Sequence, residues 1–189
     1  MTTNEEWLPH NNLAINNLIY NNSVRQVGLG GYSTEAGRTF NTFLWNNTII
    51  HPNTATDVAI SMNAGENYSI VNNIIIDKGT WNYLINSDLD TTYVKNFLFY
   101  NNLLYHANAQ DMDAYFNIAG TEYHTETFQN ADFTEDNIIT SEYGLNEDYT
   151  LAENSVCIGA GYFAEKMLEF LDLAGKKRTE SISIGCYEK

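Results

Sequence analysis

The chain has 189 residues, with 24 acidic against nine basic for a formal charge of −15, and 43% of it is hydrophobic. That length and apolar fraction allow one well-buried domain or a compact solenoid. The charge argues against nucleic acid and anionic lipid surfaces as partners, since both repel a negative surface. No run of eighteen apolar residues is present, so membrane insertion as a helix is not expected.

Residues 1–12 hold Trp7, Leu8 and Pro9 among polar residues and lack the apolar core of a signal peptide, as would a chain from which one had been removed. They read as an N-terminal cap or a truncation edge, ahead of one domain over 13–189. From there a pattern repeats: Asn-Asn and a short apolar run occur at Asn16-Asn17, Asn46-Asn47, Asn72-Asn73 and Asn101-Asn102, at intervals of 30, 26 and 29 residues. A recurrence of that size marks a repeat architecture. The third residue after the first Asn is Ile19, Ile49, Ile75 or Leu104, an interior stack; the fifth is Asn21, His51, Asp77 or His106, a polar turn. The runs are short, β-branched or aromatic, and broken by Asn, Gly, Asp and Thr, so they read as strands. The expected fold is all-β: a right-handed parallel β-helix of about five coils, each strand pairing with its equivalent about 4.8 Å along the axis. Stacked Asn17, Asn47, Asn73 and Asn102 would then form an amide ladder.

Within this frame, further strands are expected over 25–30, 58–62, 81–85 and 114–118, with a polar excursion over 120–136 and a degenerate last repeat at Asn137-Ile138-Ile139. Gly30-Gly31 reads as a corner of the coil. Over 149–189 the pattern becomes a capping segment. Phe163, Met167, Leu168 and Leu171 have helical spacing before Gly175, with Lys176, Lys177 and Arg178 beyond, which predicts a short C-terminal helix. Residues 182–187 read as a closing strand, and Cys157 and Cys186 as two small buried thiols, too few for a disulfide framework or a four-ligand zinc site. The first coil leaves unpaired strand edges that Trp7, Leu8 and Pro9 cover only thinly, so a longer natural chain or self-association through the N-terminal coil is expected.

The stretches 16–22, 27–32 and 46–50, with Asp148-Tyr-Thr-Leu151, Ser155-Val-Cys-Ile-Gly-Ala-Gly161 and Ser183-Ile-Gly-Cys-Tyr-Glu188, resemble the C-terminal portion of the pectate-lyase-like superfamily of parallel β-helix proteins. Both cysteines stand where the family ending normally has alanine, which leaves a bond between them open. The resemblance covers roughly residues 13–188 and implies a secreted or cell-surface protein acting on a polysaccharide or oligosaccharide, by lyase or glycoside hydrolase chemistry. The alternative is a non-catalytic glycan-binding or surface-assembly solenoid. Family lyases set an Arg or Lys base beside calcium-binding aspartates, and family hydrolases use aspartates on neighbouring coils.

Candidate catalytic residues are Asp57, Asp88 and Asp90: the first two lie 31 apart, about one coil, and the last two are two apart, which places both carboxylates on one side if that segment is extended. Such a cluster could work as a glycosidase carboxylate pair, or Asp88 and Asp90 could bind calcium; a solvated acidic turn is the competing interpretation. Candidate substrate-binding residues are Arg38, as a bidentate partner for a sugar carboxylate, against a surface pair with Glu35. His51 and His106 could act in an acid–base line with Asp77, against plain turn residues. Trp81 is a candidate sugar-stacking platform, against a packed loop aromatic. A carboxylate cluster on an exposed strand face would favour the enzyme, and aromatics without one the binding module.

Overall fold

The computed structural model describes residues 10–31, 37–87, 89–108 and 115–189. The first coil is β1 (His10–Ile15), β2 (Leu18–Tyr20) and β3 (Val27–Leu29); the second is β4 (Thr39–Trp45), β5 (Thr48–His51) and β6 (Ile60–Met62). The third is β7 (Gly65–Val71), β8 (Ile74–Asp77) and β9 (Ile85–Asn86); the fourth is β10 (Val94–Tyr100), β11 (Leu103–His106) and β12 (Phe116–Ile118). After a reversing strand β13 (Thr121–Tyr123) and a short helix α1 (Thr125–Gln129), β14 (Thr134–Glu135) and β15 (Ile138–Ile139) open a partial last coil. Three five-stranded sheets result: β1-β4-β7-β10-β14, β2-β5-β8-β11-β15 and β3-β6-β9-β12-β13. All pairings between these strands are parallel except β12 with β13. From the first coil to the fourth the protein is a mostly-β parallel solenoid of about three turns, fewer than the five coils expected. The repeat signal marks where coils begin, and the last beginning, at Asn137, supports only two-residue strands.

The Asn pair makes the corner between the first and second sheets. Its first member, Asn16, Asn46, Asn72 or Asn101, takes a left-handed conformation with φ of 49–59°, which Asn tolerates better than most residues with a side chain. Its second member points inward, and each amide nitrogen donates to the next coil's amide oxygen: Asn17 to Asn47 at 2.9 Å, Asn47 to Asn73 at 3.0 Å, Asn73 to Asn102 at 3.0 Å and Asn102 to Asn137 at 2.9 Å. The expected ladder is present, one rung longer. Next to it, Ile19, Ile49, Ile75, Leu104 and Ile139 stack in register, with Ile49, Ile75 and Leu104 fully buried.

The polar excursion closes the C-terminal end of the bore. Phe128 of α1 stacks on Phe116 at 3.9 Å between ring centres and meets Phe99 edge-on at 5.7 Å. The C-terminal segment instead runs along the flank of the solenoid. Leu151, Cys157 and Ile184 pack on Ile50, Ile74, Ile76 and Leu103 of the second sheet, while Met167 and Ile182 pack on Val71 of the first. The left-handed corner asparagines hold it: Asn16 donates to Leu171 O, Asn46 to Ser183 O, Asn72 to Tyr162 O and Asn101 to Ala160 O, at 2.6–3.1 Å. Gly185, at φ 98°, lies so close that a Cβ would stand 2.6 Å from Ile74 Cδ1.

Two local expectations fail here. The C-terminal helix is one 3₁₀ segment, Glu165–Glu169, burying Met167 alone, and 182–187 form no strand. Contacts to the corner asparagines override the helical spacing, because a segment spanning coils must follow their repeat, not a 3.6-residue period. Arg178, read from the sequence only as a basic residue beyond the predicted helix, is buried: its guanidinium donates to Asn16 Oδ1 at 2.7 Å, Glu188 Oε2 at 2.8 Å and Gly185 O at 2.8 Å. Cys157 and Cys186 are buried free thiols. Trp7, Leu8, Pro9 and Glu35 lie outside the described residues.

Candidate functional site: an amide-walled groove on the first sheet

Each long strand of the first sheet contains a second left-handed asparagine: Asn11, Asn41, Asn67 and Asn96, with φ of 51–63°. Parallel pairing brings them into a second ladder, this one at the surface: Asn41 donates to Asn11 at 3.0 Å, Asn67 to Asn41 at 2.8 Å and Asn96 to Asn67 at 3.1 Å. Beyond each kink the strand alternates. Ala14, Leu44, Ile70 and Phe99 face the bore, and Leu13, Phe43, Ser69 and Leu98 face outward in register. The next outward column, Ile15, Trp45, Val71 and Tyr100, runs beneath the C-terminal segment, where Tyr100 meets Tyr162 edge-on at 5.9 Å.

Between the amide ladder and that segment lies a groove of about 500 Å³. Its floor includes Phe43, Ser69 and Leu98, Asn67 and Asn96 form one wall, Tyr100 the other, and Asp132 and Phe133 close one end. Trp45 Nε1 donates to Ser69 Oγ at 2.8 Å, and Phe43 meets the same indole edge-on at 5.1 Å, which fixes the floor. Aromatic surface beside fixed amides suits a ligand with apolar C–H faces and hydroxyl edges. This ladder was missed in the sequence, although its signal was there: Asn recurs five residues before each Asn pair, at the same intervals.

The sequence candidates stand elsewhere. Asp57 pairs with Arg25 at 2.6 Å and accepts from Val58 N at 2.9 Å, at the corner before β6. Asp90 accepts from Thr92 N at 2.8 Å in the turn before β10. Asp88 lies outside the described residues. Among those described, no group of three or more His, Cys, Asp or Glu is placed to hold a metal ion. Arg38 lies 5.6 Å from the centre of the Phe40 ring, with no hydrogen-bond partner for Nε among the described residues. Trp81 is exposed on the connection from β8 to β9, away from the groove.

His51, Asp77 and His106 do come together, but inside the protein rather than in an open turn. His51 Nδ1 lies 2.7 Å from Asp77 Oδ1, and its Nε2 lies 2.8 Å from Val24 O. With Asp77 ionised both partners are acceptors, so the geometry suits a proton on each ring nitrogen, the charged form of His51. Asp77 Oδ2 is 3.1 Å from His106 Nδ1, within ion-pair range but off the hydrogen-bonding direction. Burial opposes the charge on His51, but the Asp77 bond, the Val24 carbonyl and the nearby carboxylates outweigh it, and its pKa is raised. Burial likewise disfavours the Asp77 carboxylate, but the two histidines hold its pKa below the ordinary range. All three side chains are sealed from solvent, and Gly79 covers them: a Cβ there would meet Asp77 Oδ1 at 2.9 Å and His51 Nδ1 at 3.0 Å. Chemically this is an internal ion pair that joins adjacent coils.

Fold and groove together define the class: a parallel β-solenoid with an amide-walled, aromatic-floored groove along one sheet. Comparison with protein-family models, curated proteins and solved structures finds no match.

Proposed function

We propose that the protein is a non-catalytic glycan-binding solenoid and that the groove on its first sheet takes an extended oligosaccharide or polysaccharide. The observation that carries this is the surface ladder Asn11–Asn41–Asn67–Asn96 running beside Phe43 and Tyr100. Its amides are held in line by one another, and such preorganisation limits the entropy lost on binding. Lyase or glycoside hydrolase chemistry would need a carboxylate pair or a base beside bound metal, and among the described residues those lining the groove contribute Asp132 alone. The Asn-pair repeat and the C-terminal Ser183–Glu188 motif support placing the chain with the pectate-lyase-like superfamily, and with it a secreted or cell-surface setting. Affinity electrophoresis of the intact protein through gels holding soluble plant and algal polysaccharides tests the binding. At least one should retard it, and Phe43→Ala, with its fold checked by melting, should weaken retardation about tenfold. If none of the polysaccharides retards the protein, the proposal is wrong.

A further inference from the structure

The ligand's chemical class can be read from the wall of the groove; this step rests on the glycan-binding proposal. We infer that the groove selects neutral, extended glycans over polyuronates, and that the surface asparagine ladder is its specificity-determining element. The first ground is charge. Among the described residues, those lining the groove include no Lys or Arg and one carboxylate, Asp132. On the outer side of the ladder, Glu66 and Lys95 sit opposite each other in register and offset. A polyuronate presents a carboxylate on every sugar, and such ligands are held by arginine forks, lysines or bridging divalent ions. Here it would meet an amide wall whose Asn96 already donates to the Glu66 carboxylate at 3.4 Å, on a protein of formal charge −15 whose field lowers the local concentration of any anion.

The second ground is the valence of the amides. An asparagine side chain has two N–H donors and an oxygen with two lone pairs. The ladder uses one donor and one acceptor at the inner rungs, Asn41 and Asn67. Each inner rung therefore retains one N–H and one lone pair, side by side, and Asn67 and Asn96 are exposed at the groove. A sugar hydroxyl both donates and accepts, so adjacent hydroxyls can satisfy both vacancies. A carboxylate only accepts; it would bond the N–H and face the amide oxygen as one negative dipole end to another. Sites built to hydrogen-bond hydroxyls discriminate strongly, because a mismatched ligand leaves a polar group unpaired.

The third ground is period. Rungs repeat once per coil, about 4.8 Å along the axis, comparable to the advance per ring of an extended β-1,4-linked chain. Successive sugars therefore meet successive rungs, with their C–H faces over Phe43 and Leu98.

Isothermal titration of the intact protein distinguishes these ideas, using cellohexaose, mannohexaose and xylohexaose against hexagalacturonate, at low salt and at about 0.5 M salt, where surface charge effects are screened. The informative variant is Asn67→Gly, since glycine keeps the left-handed backbone while removing the amide side chain; Asn96→Gly is the second, in case the first unfolds. The expected result is binding of at least one neutral hexasaccharide with little salt dependence, weakened about tenfold in the variants. Preference for hexagalacturonate would overturn the neutral class while leaving a glycan groove in place. Neutral binding unchanged in both glycine variants would overturn the role of the ladder. No binding by any of the four would sink the glycan-binding proposal itself.

Discussion

At the scale of single residues, the protein puts one amino acid to three uses. Asparagine supplies left-handed corners, an interior amide ladder and an exterior one, because it alone combines tolerance of positive φ with a self-complementary side chain. The His51–Asp77 pair is the exception, a charge pair sealed in the corner after the second sheet, and its stability should follow pH. His51 has a folded pKa raised above its ordinary 6.5, so its contribution is complete below that value and is lost as pH rises through the folded one. Asp77 is lowered below its ordinary 3.8, so its contribution is present above that value and lost as pH falls through the folded one. The full contribution is therefore confined to the interval between. In urea melts at about pH 5.5 and about pH 9, wild type should lose more stability between the two conditions than His51→Gln. Equal losses would mean that His51 is not charged in the folded protein.

At the scale of elements, a strand of three or four residues has little stability alone; what holds each coil is its ladder to the next. Asn73 shows the arithmetic. The two N–H groups of its amide nitrogen are shared among three acceptors in range, Leu44 O at 2.7 Å, Val71 O at 3.1 Å and Asn102 Oδ1 at 3.0 Å, and its oxygen accepts from Asn47 N and Nδ2. Asn73→Leu leaves those buried groups unpaired and should cost about 1–3 kcal/mol. A neutral result in denaturant melts would show the interior ladder to be energetically idle. The C-terminal segment follows the same logic on the outside. It has little regular structure of its own, and the corner asparagines with the buried Arg178–Glu188 pair, 2.8 Å apart, place it.

For the whole molecule, a solenoid has two open ends, and the C-terminal one is closed by an aromatic plug. Phe128 is fully buried against Phe99 and Phe116, and Phe128→Ala should cost about 3–5 kcal/mol by emptying the end of the bore. An uncovered end also templates association, so light scattering should show the variant forming larger species than wild type at the same concentration. A variant of wild-type stability and mass would mean that the end is sealed by another element.

The repeat was legible from the sequence because parallel coils place equivalent residues in contact, so a chemical need recurs at a fixed interval. The Asn pair, the Ile19-to-Ile139 stack and the His51–Asp77–His106 column all follow from that. Whether a column faces in or out is decided by burial, and the two faces of a corner are only one residue apart. Tertiary structure therefore turned the expected polar turn into a sealed ion pair, and showed Asn11, Asn41, Asn67 and Asn96 as a surface ladder. It also separated Asp57 from Asp90, because residues one coil apart in number can sit at different corners when connections vary in length. The C-terminal segment was least legible for the same reason: it lies across the repeat, and its conformation is set by the coils beneath it.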